Sequence, residues 1–504
     1  MLYWCCSVGS ELKSRTYPEY DLNIRMSETA YILIVFFTIS MLMALVVGLV
    51  HNKPMAKVVT ILYAAVHISF TGYGWFHCGE TVLDYFTFDP LGVLLLSILS
   101  VLTITTVYHG FVYVKDAEPR VYAIYHAALI ALIAAMSGAY LANGMTTVWI
   151  FVEATTLAVA ALIYHDRTPM ALEATWKYVF VCSVGIALAY LGILFLGFTV
   201  HDIRLLHLSF NSITEIARMA NPLYLKIAFV LVLVGYSTKM GLFPMHTVTV
   251  DAHTVSPPPI SAFISTTLMN VGFLAIFRIY ALFSATTILP FMNHVLILTG
   301  ILSLLVSAGY MLKAKHNKRM LAYSSLENMG IIAIALGVGG IGYYAAILHL
   351  MLHSFTKAGL FYQIGQSYKV MGTYKLDESG NYMTDYPAGA VALLLGFLCI
   401  TAIPPSGMFI SELYLMKAMV RSRDYLLLVV TALLLCFVLY ALLTRVLHIV
   451  YSQPREKPLH EPDKVNPWQS TSQYILFGLV IFICFVQPEP LRRLIESIIQ
   501  ALPK

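Results

Sequence analysis

The chain has 504 residues, of which 59% are hydrophobic and 11% charged, with a formal net charge of +5. A soluble domain carries roughly 25% charged residues, so this chain has too little polar surface to dissolve. Its length suffices for many membrane spans of about 20 residues each. The small net charge gives no reason to expect a nucleic-acid partner. Seven cysteines (Cys5, Cys6, Cys78, Cys182, Cys399, Cys436, Cys484) lie scattered, mostly in apolar runs, without CxxC or CxxH spacing. They support neither a zinc nor an iron–sulfur site and read as small buried residues.

Residues 1–25 include Glu11, Lys13, Arg15, Glu19 and Asp21, with no apolar core and no small-residue cleavage site, so they are not a signal peptide. They are expected to be an upstream extension, with Met26 as the natural start and Ser27 capping the first span. Apolar stretches bounded by polar loops then predict about fourteen spans: 28–50, 57–76, 87–113, 121–142, 145–164, 174–199, 223–245, 258–283, 288–312, 319–338, 342–367, 387–403 continuing to about 420, 425–451 and 472–487. Backbone groups in hydrocarbon must bond within the segment, and these runs are too continuous for alternating barrel strands. The predicted class is therefore all-α, a polytopic membrane helix bundle. Lys and Arg mark the cytoplasmic loops of such proteins. If the first span enters from outside, alternate loops carry Lys53 and Lys57, Lys115 and Arg120, Arg167, then Lys313, Lys315, Lys318 and Arg319, then Lys369 and Lys375, and finally Arg455, Lys457 and Lys464. Both termini are then outside, with Arg204, Arg218, Arg421 and Arg423 running against the rule.

Two spans are interrupted. Gly241 and Pro244 close the seventh, which holds Lys239, and Pro404, Pro405 and Gly407 break the twelfth just before Glu412. Broken helices at corresponding places in two halves point to an inverted-repeat transporter and its ion site. A single proline kink would be ordinary packing, but two breaks with ionisable neighbours are not.

Ionisable groups at bilayer depth cost a few kcal/mol or more and usually mark function. Glu153 lies nine residues into an apolar run, Lys239 precedes one break, and Glu412 follows the other. Glu173 and Lys177, four residues apart near the start of the sixth span, meet on one helix face and are equally consistent with a structural ion pair. In the eleventh span His349, His353 and Lys357 recur every four residues, with Thr356 beside them. They form a polar stripe roughly 12 Å long on one face. Proton relays need such closely spaced titratable groups. A zinc site at HxxxH would need a third ligand and an activating glutamate, which the local sequence does not supply. Glu327, near the start of the tenth span, is either an interfacial cap or a partner of the stripe, and the second reading is preferred.

At these residues the chain resembles a known family. EATTLAVAAL around Glu153, the K-x-G-L-F-P-x-H run from Lys239 to His246, DAHTVSPPPISAFIS from Asp251 through His253 to Ser265, KRMLAYSSLENMGII, HSFTKAGLF and PPSGMFISE stand in the order found in antiporter-like subunits of the complex I superfamily. That superfamily includes the large pumping subunits of NADH:quinone oxidoreductase, subunits of multi-subunit sodium/proton antiporters, and membrane subunits of energy-converting [NiFe]-hydrogenases. The run LEATWKYVFVCSVG, Ser265 in place of a histidine, and SSLENMG with Asn328 in place of a histidine are most similar to the branch of hydrogenase-4 component F and formate hydrogenlyase-type complexes.

The resemblance implies fourteen helices with two inverted five-helix repeats. The divisions would be a three-helix segment at 26–120, repeats at 121–285 and 286–451, and a loop, last helix and tail at 452–504. It implies Glu153 and Lys239 as the glutamate–lysine pair of the first repeat, with His349, His353 and Lys357 bridging inward. Glu412 would be the terminal group of the second repeat. Glu173, Lys177, His246, Asp251, His253 and Glu327 would be supporting residues. The coupling ion would be the proton, with sodium as the alternative. Partners would be other membrane subunits and a peripheral hydrogenase or oxidoreductase arm, in a prokaryotic cytoplasmic membrane. No cofactor is expected, since neither a Rossmann glycine pattern nor a cysteine set is present. A subunit of a sodium/proton antiporter or inorganic-carbon uptake complex is the alternative from the transporter class, and a structural scaffold is the third reading.

Overall fold

A computed structural model describes residues 27–197, 210–453 and 465–503. The expected extension at 1–25, Arg204, and the loop lysines and arginine at Arg455, Lys457 and Lys464 lie outside the described residues.

Four helices open the fold: α1 (Glu28–Val50), α2 (Lys53–Phe76), α3 (Pro90–Tyr113) and α4 (Pro119–Leu141). Their starts follow local chemistry. Ser27 Oγ accepts from the Ala30 N–H at 3.2 Å, Asn52 Oδ1 from Met55 N–H at 3.1 Å, and Asp89 Oδ1 from Gly92 N–H at 3.2 Å. A two-residue hairpin, β1 (Thr81–Val82) with β2 (Phe86–Thr87), joins α2 to α3 and has no counterpart in the sequence reading.

The middle of the chain forms α5 (Met145–Ile163), α6 (Pro169–Gly197), α7 (Phe210–Met219), α8 (Pro222–Met240), α9 (Thr247–Val255), α10 (Pro258–Phe263), a π turn at Ile264–Leu268, and α11 (Met269–Phe283). Then come α12 (Leu289–Lys313), α13 (Asn317–Val338), α14 (Ile341–Met371), the short α15 (Tyr382–Asp385), α16 (Pro387–Ile400), α17 (Gly407–Arg421), α18 (Tyr425–Tyr451), α19 (Thr471–Phe485) and α20 (Glu489–Ile499). Twelve described helices are long and apolar enough to cross a membrane. The other two predicted spans are α14, whose polar stripe lowers its hydropathy, and the broken pair α16–α17. The chain is an integral membrane helix bundle.

The sixth span begins at Pro169 rather than at 174, because Thr168 Oγ1 accepts from the Ala171 N–H at 3.0 Å and proline suits the first helical position. Two amphipathic helices were not anticipated. α7 is too short and polar to span, and α20 buries Leu494, Ile495 and Ile498 while Arg492 and Arg493 pair outward with Glu496 and Glu489.

Helix packing runs in the same sense through the two halves. α4 lies on α5, α5 on α6 and α6 on α8; α12 lies on α13, α13 on α14, and α14 on α16 and α17. The α10–α11 run and α13 are buried almost all round and form the centre. Arg278, near the end of α11, gathers the edge of that centre. Its guanidinium donates to Asp89 Oδ1 and to Tyr140 O, each at 2.8 Å, and also to Ala142 O, and it lies 5.2 Å over the Phe210 ring.

α6 and α8 approach closely through small residues. A Cβ on Gly185 would stand 3.0 Å from Gly235 O, one on Gly192 would stand 2.9 Å from Ala228 O, and one on Gly235 would collide with Gly185 O. Such contacts hold membrane helices together where no hydrophobic drive exists between them. Gly235→Val forces the helices apart and is expected to destabilise the subunit by about 3 kcal/mol or more. Thermal unfolding of the detergent-solubilised complex checks this, and a wild-type midpoint would refute it.

Candidate functional site

The apolar run of α8 ends in Ser-Thr-Lys-Met and stops at Gly241, whose φ of 75° a side chain would resist. The N–H groups of Gly241 and Leu242 both reach Ser237 O, at 2.8 and 3.2 Å. Phe243 N–H donates to Ser303 Oγ on α12 at 3.0 Å, and Pro244 has no N–H to satisfy. The first donors past the helix end are therefore satisfied. Lys239 sits in the last turn of α8, only 2% exposed, where the carbonyl end of the helix favours a cation. Its Nζ donates to Tyr178 Oη at 3.3 Å and lies 5.0 Å over that ring.

Glu153 on α5 is half-buried rather than sealed. Its Oε1 accepts from Ser183 Oγ at 2.8 Å and its Oε2 from Thr156 Oγ1 at 3.5 Å. Among the described residues no direct ion pair joins Glu153 to Lys239, but the carboxylate stands within electrostatic reach of the lysine. The partner of each is on α6, Ser183 for the glutamate and Tyr178 for the lysine, with Cys182 within electrostatic reach of both. The first half thus holds two charges separated by one helix that supplies both with hydrogen bonds.

Glu173 and Lys177 do meet, at 2.5 Å, but on an exposed face. Lys177 lies 4.0 Å and Arg319 3.5 Å from Asp251, so the four form a surface network joining the starts of α6 and α13 to α9. Exposed pairs of this kind contribute little stability. Two residues further along α9, His253 faces inward instead. Its ring lies flat on Phe361, centroids 4.9 Å apart, and neither ring nitrogen meets a hydrogen-bonding group of the protein. His246, inside the break, is buried with its Nδ1 likewise unpartnered. Lys318, counted among the loop charges in sequence, is buried and donates to Ser256 O at 2.6 Å. Next to it, burial and the charges of Lys318 and Arg319 push the His316 ring down to a pKa of about 4.

Ser265, in the π turn, shares a 2.6 Å hydrogen bond with Ser325 and so joins the two halves at the centre. From there the stripe on α14 takes over. Lys357, His353 and His349 are all at most 1% exposed. Lys357 Nζ donates to Leu321 O at 2.9 Å and stands within electrostatic reach of Glu327, which is buried on α13 and accepts from Ser324 Oγ at 3.3 Å. His353 lies between Lys357, His349 and His253, with no hydrogen bond from the protein at either ring nitrogen.

His349 is held at both nitrogens. Nε2 faces Asn328 Oδ1 at 3.0 Å, and Asn328 Nδ2 donates to Ser324 O at 2.6 Å, which fixes the amide so that its oxygen accepts from the ring. Nδ1 faces Ser411 Oγ at 2.9 Å, and that hydroxyl also lies 2.8 Å from Met408 O. One hydroxyl proton can therefore point at the neutral ring or at the carbonyl. When Nδ1 gains a proton, the ring donates to Ser411 and the hydroxyl turns to Met408, so His349 can change charge with every contact kept. Ser411 directly precedes Glu412 on α17, which begins after the second break, where Ser406 Oγ accepts from the Met408 N–H at 3.2 Å. Gly407 fits there because a Cβ would stand 2.7 Å from Val480 O. Glu412 is half-buried and within electrostatic reach of Glu327.

The bundle thus brings Lys239, His246, His253, Lys357, His353, His349 and Glu327 into its interior, keeps Glu153 and Glu412 half-buried, and leaves Glu173, Lys177 and Asp251 at its surface. Sequence reasoning did not anticipate Tyr178, Ser183 and Ser411 as hydrogen-bond partners. They are neutral, and nothing in an apolar run singles them out. Asn328 was noted only as a departure from a motif. Such an arrangement can bind and pass protons between neighbouring groups. Among the described residues no three His, Cys, Asp or Glu side chains are grouped to hold a metal.

Comparison with known proteins agrees with this architecture. Residues 142–437 match the family model described as NADH:quinone oxidoreductase/Mrp antiporter, TM. The chain is 32% identical over 382 residues to a hydrogenase-4 component F homolog of Methylacidiphilum infernorum (isolate V4), covering 74% of this chain and 80% of that one. It is 26% identical over 339 residues to hydrogenase-4 component B of Escherichia coli (strain K12), covering 65% of this chain and 49% of that one. The fold is shared with a chain of the membrane-bound sulfane sulfur reductase, an archaeal respiratory membrane complex (TM-score 0.82, 21% identity, 94% and 98% coverage). It is also shared with a chain of the Mrp complex of Dietzia sp. DQ12-45-1b (TM-score 0.78, 18% identity, 94% and 97% coverage). With more than half of its length matched by that model and two broken helices flanking a buried row of titratable side chains, the chain belongs to the NADH:quinone oxidoreductase/Mrp antiporter family of membrane subunits.

Proposed function

We propose that this chain is the proton-translocating, non-redox subunit of a multi-subunit energy-converting hydrogenase or a related NADH:quinone oxidoreductase-like complex in a prokaryotic cytoplasmic membrane. The observation that carries the proposal is the buried row of His253, Lys357, His353 and His349, which reaches Ser411 beside Glu412, together with Lys239 buried on α8. Buried titratable groups are expensive in a bilayer, and a row of them is retained where ions move. The repeat boundaries at 121–285 and 286–451 are supported by the matching helix packing of the two halves. Glu153 and Lys239 serve the first half, the α14 stripe carries protons between halves, and Glu412 serves the second. Glu327 adjusts the charge balance of Lys357. Other membrane subunits and a peripheral redox arm complete the machine, in keeping with the hydrogenase-4 relatives.

The likeness to a chain of the Mrp complex keeps a sodium/proton antiporter subunit as the second reading. Proteoliposomes holding the purified complex separate the two. Redox-driven acidification that persists without sodium supports the first, and counter-transport of sodium without any redox substrate supports the second. Glu412→Gln should reduce transport by on the order of 100-fold in either case, the usual weight of one positioned proton-transfer group. A wild-type rate in that variant would remove Glu412 from the path.

A further inference from the structure

A trough between α2 and α3, outside the candidate site, has a volume of about 940 Å³. Its walls are Ile61, Ala65 and Ile68 on α2 and Ile104, Tyr108 and Phe111 on α3. Its floor is made by Ala64 and Val107, both buried, and the two alanines of α2 leave the space that larger side chains would fill. From Lys57 to Ile68 the trough runs roughly 16 Å along α2, close to the depth of one bilayer leaflet, about 15 Å.

Only one end is charged. Lys57 from α2, Lys115 from the turn after α3, and Lys369 from the end of α14 border it, with Asp116 as the single acid. Lys57 Nζ is held 5.5 Å over the Phe111 ring, and Lys369 Nζ donates to Val112 O at 3.4 Å, so these ammonium groups are placed around the opening. The same end carries the loops that the Lys and Arg distribution assigns to the cytoplasm. Hydrocarbon-lined below and cationic above, the trough matches one kind of molecule: a lipid with its acyl chain in the leaflet and a negative headgroup at the surface.

We infer that this trough binds one anionic diacyl phospholipid, with its phosphate between Lys57, Lys115 and Lys369 and an acyl chain along Ile61–Ile68, tying the N-terminal helices to the end of α14. This is independent of the ion that the subunit carries.

The test uses the assembled complex, delipidated in mild detergent and titrated with phosphatidylglycerol, with phosphatidylcholine, and with inorganic phosphate. Wild type should bind phosphatidylglycerol saturably and more tightly than phosphatidylcholine, and millimolar phosphate should not displace it. Lys57→Gln combined with Lys115→Gln should weaken that binding by about 25-fold, at about fivefold for each lysine near an anionic surface. Lys57→Arg combined with Lys115→Arg should restore it. Ala65→Phe, which fills the trough but keeps the charges, should also lose it. Assembly of each variant is verified by size exclusion. Equal binding of both lipids, or no response to the lysine variants, overturns the inference. Competition by phosphate overturns it too, because it would reduce the site to an anion patch. A benzoylphenylalanine placed at Ile104 gives a second readout: photocrosslinks to phospholipid support a lipid occupant, and crosslinks to a neighbouring subunit refute it.

Discussion

In the assembled complex, Lys239→Ala is expected to abolish ion translocation without unfolding the subunit. Lys239 is almost fully buried in the last turn of α8, with one hydrogen bond, to Tyr178 Oη at 3.3 Å. Replacing a buried charge by an apolar group is often neutral for stability, because desolvation of the charge is no longer required. Lys239→Met, which also fills the space, should therefore assemble as well as wild type. Transport should fall at least 100-fold in both, since a proton-carrying group has been removed. Lys239→Arg is the sharper variant. Arginine keeps the positive charge but does not release its proton in proteins, so it should fail as completely as alanine. If Lys239→Arg pumps at the wild-type rate, the residue is a fixed cation and not a carrier. If Lys239→Ala does so, the residue lies outside the path.

The class of fold was legible because the bilayer demands long apolar helices, and each of the fourteen predicted stretches contains a described helix. The breaks were legible too, since Gly241 and the Pro404–Pro405 pair cannot continue a regular hydrogen-bond ladder. What stayed hidden depends on how helices sit against one another. The sequence named Glu153 and Lys239 as a pair but not the helix beside them: the close packing of Gly185 and Gly235 puts α6 against α8, and Ser183 and Tyr178 of α6 hydrogen-bond the two side chains. Arg278 was not singled out in the sequence, yet it is buried among backbone carbonyls and Asp89, because only the fold brings the start of α3 and the ends of α4 and α11 together. The amphipathic α7 and α20 escaped a hydropathy scan because half of each is polar. Glu327 was expected as a partner of the stripe; it is buried within electrostatic reach of Lys357, while the residue that accepts a hydrogen bond from His349 is its neighbour Asn328.

The pair His349 and His353 gives the most informative expected result in the second half. The two rings are one turn apart on α14, yet they differ in support: His349 is bonded at both nitrogens and His353 at neither within the protein. If protons pass along this face, each single change to alanine should slow transport on the order of 100-fold. The double change should then be no slower than the worse single, because a severed path cannot be severed again. Two independent packing histidines would instead give small effects that multiply. Ser411→Ala isolates the hydroxyl that lets His349 Nδ1 gain and lose a proton with its contacts intact. The methyl group fills nearly the same buried space, so assembly should persist. The ring, however, loses its partner toward Glu412, and transport should fall about tenfold, the size of one lost buried hydrogen bond of about 1.4 kcal/mol. Combining Ser411→Ala with His349→Ala should add nothing to the histidine change. Should the serine and histidine effects multiply instead, Ser411 acts on transport by a route that does not pass through His349, and the link drawn here between the α14 stripe and Glu412 is wrong.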